Sequence, residues 1–283
     1  MHTLHLARHA EDTKHATPGP TTRANPWLWL GGGMLLFFLV PLVGTNLLGL
    51  QPDMYYLVYF TIAVAWFAVF VRAYAAELHD LWRHNLGLSL VVGTVTGAAL
   101  VAMVFSQAAT THPDGWRYAF EILWRGPVYG SVDALTLFVF PAAIAFLLMH
   151  GNREGIKRKV GFAGLALLLS LLVSTSYHLG YAEYRDADLR SPLIGTVVAT
   201  VPTALTGNPV GSVITHSMVH TAAVVHQRNG GSTQMLPPKI TADYPSHGDS
   251  NVAAGLAAGW LLATGAALTL VVRRRRAVGV PEE

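Results

Sequence analysis

Glu121-Ile-Leu-Trp-Arg125-Gly126, His178, and His216-Ser-Met-Val-His220 hold the residue types that could do chemistry in this chain. Each group lies in or beside a strongly apolar stretch. An ionisable side chain at membrane depth is costly, so it marks a candidate site. Glu121 and Arg125 are four apart and share a helix face, where they can pair. His216 and His220 have the same spacing, which suits two ligands on one metal or two imidazoles around one substrate group. A carboxylate with three imidazoles has the parts to activate water and to hold the resulting oxyanion. Each part also has a plainer reading. Glu121 and Arg125 can form a structural ion pair at the membrane interface. A buried histidine can be just a hydrogen-bonded core residue. Asp133 either pairs with a neighbouring helix or extends the polar network.

The elements that must position these groups are apolar helices. Hydrophobic residues make up 52% of the 283, and charged residues only 12%. Soluble domains carry about 25% charged residues. The sequence therefore predicts an all-α, polytopic transmembrane helical bundle of about eight spans and excludes a soluble enzyme. The candidate spans are 27–50, 55–74, 87–107, 127–149, 159–182, 191–206, 209–226 and 252–272, each judged against the roughly 20 residues needed to cross the hydrocarbon. The sixth and seventh are short and are broken by Pro202, Gly207 and Pro209, which admits a hairpin or re-entrant pair. Residues 113–126 are expected to form an interfacial helix feeding the fourth span.

The domain plan follows. Residues 1–26 form a polar tail with His2, His5, His9 and His15, residues 27–272 the transmembrane domain, and 273–283 a basic tail. Residues 227–251 read as a disordered or lid-like loop. Lys and Arg concentrate in alternate connections, notably at Arg153 to Lys159 and Arg273 to Arg276. That bias places both termini in the cytoplasm of a multi-pass cell-membrane protein. Trp27, Trp29, Tyr55, Tyr56 and Trp82 fall near span ends, as interfacial aromatics. On this topology Glu121, Arg125, His178, His216 and His220 all lie in the outer half of the bilayer. The chain has no cysteine, so disulfides and thiolate catalysis are excluded. The basic balance, net charge +3, gives no support for nucleic acid, because its residues flank the apolar segments.

The same residues resemble the CPBP family of intramembrane proteases, which includes CAAX-processing and Abi-like proteins. That family's pattern is EExxxR, then FxxxH, then HxxxN. Phe120-Glu-Ile-Leu-Trp-Arg125-Gly126 matches the first motif from its second Glu onward. Ser174-Thr-Ser-Tyr-His178 matches the second by its His. Leu205 to Ser212, leading into His216-Ser-Met-Val-His220, is similar to the last. The resemblance covers about residues 115–226. PrsW-like membrane proteases, which also combine Glu and His motifs, are a second point of similarity. Phe120 stands where the family has its first Glu, Ser174 replaces the motif Phe, and His220 replaces the Asn. The resemblance implies an intramembrane endopeptidase in which Glu121, Arg125, His178, His216 and His220 are catalytic, acting on a peptide or membrane-protein substrate from the lipid. It leaves open whether a divalent metal such as zinc is bound, with His178, His216 and His220 as its candidate ligands, or none. The alternative is a non-catalytic relative that binds a partner.

Overall fold

Proline and asparagine mark where the apolar runs become helices. Pro26 and Pro52 each occupy the first helical position, where a missing N–H costs nothing, and the Asn25 side chain accepts from the Trp27 amide at 3.0 Å. A computed structural model describes residues 25–109, 115–186, 189–227 and 247–277. All of its regular elements there are helices. They are α1 (Pro26–Leu47, closing in a π-helical turn), α2 (Pro52–Ala73), α3 (Ala75–Arg83), α4 (Leu86–Phe105), α5 (Gly115–Leu148), α6 (Ile156–Leu179), α7 (Ala182–Asp186), α8 (Arg190–Thr206), α9 (Val210–Gln227) and α10 (His247–Ala277). Residues 1–24, 228–246 and 278–283 of the expected tails and lid-like loop lie outside the described residues; of the 227–251 expected as loop, 227 closes α9 and 247–251 are instead the first turn of α10, and Pro26 of the expected tail opens α1.

This is a membrane-type helical bundle. Five helices, α1, α2, α4, α5 and α6, are long and apolar enough to cross a membrane. The other three expected spans coincide with α8, α9 and α10. Of these, α8 and α9 have 17 and 18 residues, and the apolar part of α10 covers Ala254–Ala267. The basic run Arg273 to Arg276 is the last turn of α10 rather than a separate tail. The broken region does form a helical hairpin. Gly207 takes the left-handed conformation that ends α8, and Asn208 donates to the carbonyls of Trp82 and His84 at 2.9 and 2.8 Å. The turn is thereby fixed to the corner between α3 and α4.

Helix α5 is the centre of the bundle. Some 78% of its most apolar window is buried, against 22–39% for the other four long helices. It runs without a break through residues 115–123, so the expected interfacial helix is the first turns of α5 itself. It contains two π-helical turns, Trp124–Val128 and Leu135–Val139, on either side of a short α segment, Tyr129–Ala134. Pro127 in the first of these has no N–H to give to the regular ladder, which favours the wider turn.

Helix α9 packs against α4 and α5 through glycines. Gly93 and Gly97 on α4, and Gly126 and Gly130 on α5, each form a Gly-x-x-x-Gly face. A Cβ on Gly130 would come within 2.7 Å of the Ser217 Cα, and one on Gly93 would collide with the Gly211 backbone. Small residues allow such backbone approach, which is what holds helices together in lipid. Thr215 Oγ1 donates to the Gly93 carbonyl at 2.8 Å, and Ser131 and Ser217 hydroxyls pair at 2.9 Å.

Tyr55 and Tyr56 are fully buried in the core, so they are not interfacial aromatics, whereas Trp27 is exposed. The Tyr55 hydroxyl sits 2.7 Å from that of Tyr181, which donates to Tyr177 at 2.7 Å, and Tyr177 pairs with Tyr129 at 2.9 Å. This chain of hydroxyls satisfies groups that have no water to turn to.

Gly130→Ala is expected to lower stability by about 1–3 kcal/mol, as overpacking does. Gly164→Ala, whose Cβ meets nothing within 4 Å, is expected to be neutral or slightly stabilising. Thermal unfolding of the two variants in detergent checks this; equal melting points would show that the α5–α9 contact has slack.

Candidate active site

The titratable groups singled out in the sequence separate into two networks along α5. The first lies toward its N-terminal end. Arg125 makes a bidentate pair with Asp53 of α2, with Nε to Oδ1 at 2.8 Å and Nη2 to Oδ2 at 2.7 Å. Its Nη1 lies 3.6 Å from Glu121 Oε1, which also lies 3.5 Å from Arg117 Nε. Arg125, Asp53 and Glu121 are all buried. Two guanidinium groups and two carboxylates balance in charge, and the planar fork matches the Asp53 carboxylate. Buried charges persist in apolar surroundings when they are paired in this way.

The second network surrounds Asp133. Its Oδ1 accepts from the Tyr59 hydroxyl at 2.8 Å, and its Oδ2 lies 2.9 Å from His216 Nε2. His216 Nε2 in turn lies 3.0 Å from His220 Nε2. The one ligand atom each of Asp133, His216 and His220 lies within 4.8 Å of the others, close enough to share a metal ion. His220 Nδ1 is buried without a hydrogen-bond partner, so its polar engagement is at Nε2 alone. The ring of Tyr129 packs 4.7 Å from that of His220, and Phe138 stands edge-on to His216 at 5.0 Å.

These groups open onto a cavity of about 290 Å³. Asp133, His216, His220 and also His178 line it. His178 Nδ1 lies 2.7 Å from the Ser174 carbonyl and so donates to it, which leaves Nε2 as the acceptor in the neutral ring. The remaining wall is mostly apolar. Its rim includes Met103 of α4 and Ile194 of α8, which are 50% and 63% exposed. The cavity therefore reaches the outer surface of the bundle between the C-terminal end of α4 and the first turns of α8. Comparison with protein-family models, with curated proteins and with solved structures found no match for this chain.

The structure thus brings together three of the five residues expected from sequence, His178, His216 and His220, and adds Asp133. Glu121 and Arg125 are not among the residues lining the cavity. Helix geometry accounts for the separation. Glu121 precedes Asp133 by twelve residues, which is about 18 Å along an α-helix. The imidazoles therefore gather around Asp133, and Glu121 stands about three turns away along α5. Asp53 and Tyr59 went unnoticed in the sequence: the first reads as an ordinary acidic residue in a helix first turn, the second as one aromatic among many.

Removing one partner of the buried pair should be severe. Asp53→Ala is expected to cost about 3–5 kcal/mol, because it leaves Arg125 with its main counter-charge gone. The double change Asp53→Ala with Arg125→Met is expected to cost much less than the two single changes added together. Melting curves of the three variants read this directly, and strict additivity would remove the pairing energy.

Proposed function

We propose that this chain is a membrane-embedded peptide hydrolase that works at the cavity lined by Asp133, His178, His216 and His220. The observation that carries the reading is a largely buried carboxylate–imidazole cluster at the wall of a mostly apolar cavity that reaches the surface between α4 and α8. A soluble substrate gains little from such a mouth, whereas a peptide segment already in the bilayer can enter it sideways. His178 Nε2 takes a proton from water as the water oxygen attacks the substrate carbonyl carbon. The cluster of Asp133, His216 and His220 is the part of the wall that would offset the developing oxyanion, through an imidazolium proton or a cation held there. The C–N bond then breaks, and the proton passes to the leaving amine. Arg125 serves the fold by tying α5 to α2 through Asp53, with Glu121 as a second carboxylate beside it.

The reading keeps the relationship to CPBP-type intramembrane proteases as a proposal, with the working carboxylate moved from the first motif to Asp133. The distribution of lysine and arginine supports a cell-membrane location with both termini in the cytoplasm. One observation favours the second reading, a non-catalytic partner-binding protein. Phe120 stands in place of the family's first Glu and stacks on Trp124 with ring centroids 6.2 Å apart, so that position is given to packing.

The two readings part in one assay. In proteoliposomes carrying a transmembrane peptide reporter, the wild-type chain is expected to cleave. His178→Ala and Asp133→Asn are each expected to lower kcat/KM by about 10²–10⁴, while Glu121→Gln keeps cleavage in whatever fraction folds. Loss of cleavage in Glu121→Gln alone returns the base to the first motif. Absence of cleavage in the wild type, with activity appearing in Phe120→Glu, decides for the non-catalytic protein.

A further inference from the structure

Hydrogen bonding alone does not satisfy the contacts around His216. Its Nε2 has a single in-plane direction, filled by either a proton or a lone pair. Yet it meets two atoms at close range, Asp133 Oδ2 at 2.9 Å and His220 Nε2 at 3.0 Å. A proton on His216 Nε2 that points at Asp133 leaves the His220 contact non-linear. A lone pair there accepts from His220 but confronts the lone pairs of the carboxylate oxygen. A cation between the three atoms resolves the conflict, because each then directs one lone pair to a common centre.

The geometry points to a divalent transition-metal site made of Asp133, His216 and His220, with an open position facing the cavity. The ligand chemistry is two imidazole nitrogens and one carboxylate oxygen, the class that binds zinc in sites that keep a position for water or substrate. Ligand atoms of a tetrahedral zinc lie about 3.3 Å apart. The observed 2.9 and 3.0 Å need to open by only a few tenths of an ångström, and the third pair, Asp133 to His220, lies within 4.8 Å. The surroundings are those of a ligand set. Tyr59 holds the second carboxylate oxygen of Asp133, as outer partners of metal ligands do. His216 and His220 are one turn apart on a helix whose backbone is clasped by glycines, so their spacing is fixed. Their other neighbours, Tyr129 and Phe138, exclude water from the sides. All three ligands line the cavity, which therefore gives access to the open position. Set against the sequence, the ligand set exchanges His178 for Asp133. When bound, such an ion polarises a carbonyl and acidifies a coordinated water. Ferrous iron shares this ligand chemistry. The inference builds on the residues of the proposed active site but does not depend on a peptide as substrate.

The test uses the full chain purified in detergent, stripped with a chelator and then given zinc or cobalt(II). The expected result is about one ion retained per chain after gel filtration, an intense visible cobalt spectrum of low-coordinate type, and a raised melting temperature. Asp133→Asn, His216→Ala and His220→Ala should each lose the spectrum and the thermal shift, whereas replacing His2, His5, His9 and His15 by alanine should change neither. Elemental analysis of the chain as purified distinguishes zinc from iron. Failure of the wild type to retain an ion overturns the proposal, and so does an unchanged spectrum in His216→Ala and His220→Ala. Loss of binding with the N-terminal histidines overturns it as well. Should none of the site variants fold, the wild-type chain with its N-terminal histidines replaced decides: a low-coordinate cobalt spectrum supports the site, and its absence rejects it. Metal binding without peptide cleavage removes the peptidase reading and leaves this one standing; cleavage by a chain that retains no added ion does the reverse.

Discussion

The contact on which the arrangement rests is the backbone approach of α9 to α4 and α5. Lipid offers no hydrophobic drive for one apolar helix to prefer another over acyl chains, so close packing and interhelical hydrogen bonds must supply it. Glycines at 93, 97, 126 and 130 clear the faces that α9 meets, and the Ser131–Ser217 and Thr215–Gly93 hydrogen bonds fix its height. The contact of Asp133 with His216 follows from that height. A shift of α9 by one turn would move it about 5.4 Å and carry both imidazoles past the carboxylate.

Helix α5 bears two polar networks with opposite demands. The group of Asp53, Glu121, Arg117 and Arg125 is charge-balanced, and the bidentate Arg125 contact ties α2 to the central helix. The group of Asp133, His216 and His220 is incomplete and faces a cavity. The first behaves as structure, since its charges already answer one another. The second has donor and acceptor capacity still to be used, which is what a site for chemistry requires.

The bundle was legible in the sequence because the bilayer imposes length and apolarity on each span, and all eight expected segments are helical. The imidazoles were legible for the same reason: His178, His216 and His220 are conspicuous in apolar runs. The partner of His216 was not. Asp133 and Glu121 are both acidic residues on one helix, and only the pairing of α5 with α9 shows which of them meets an imidazole. Asp53 was hidden in the first turn of α2, where a carboxylate is ordinary. Tyr55 and Tyr56 misled in the opposite sense, since tyrosines near a span end suit an interface equally well until their hydroxyl partners are seen. The Gly-x-x-x-Gly pairs were a readable signal for the α9 contact.

The two π-helical turns give α5 an adjustable register. Each accommodates about one residue beyond the regular α-helical count, so each resembles an insertion absorbed without breaking the helix. The segment Tyr129–Ala134 between them is short and carries Asp133. Deleting one residue from the first turn and adding one to the second would turn this segment by about 100° and leave the helix on either side in phase. Such a paired change would swing the carboxylate away from the imidazoles, and Gly130 and Ser131 away from Ser217, while sparing the Arg125 anchor and the packing of α5 on α3. The register of this one short segment thus couples the polar centre to the α9 contact, and length variation at two places would remove both together.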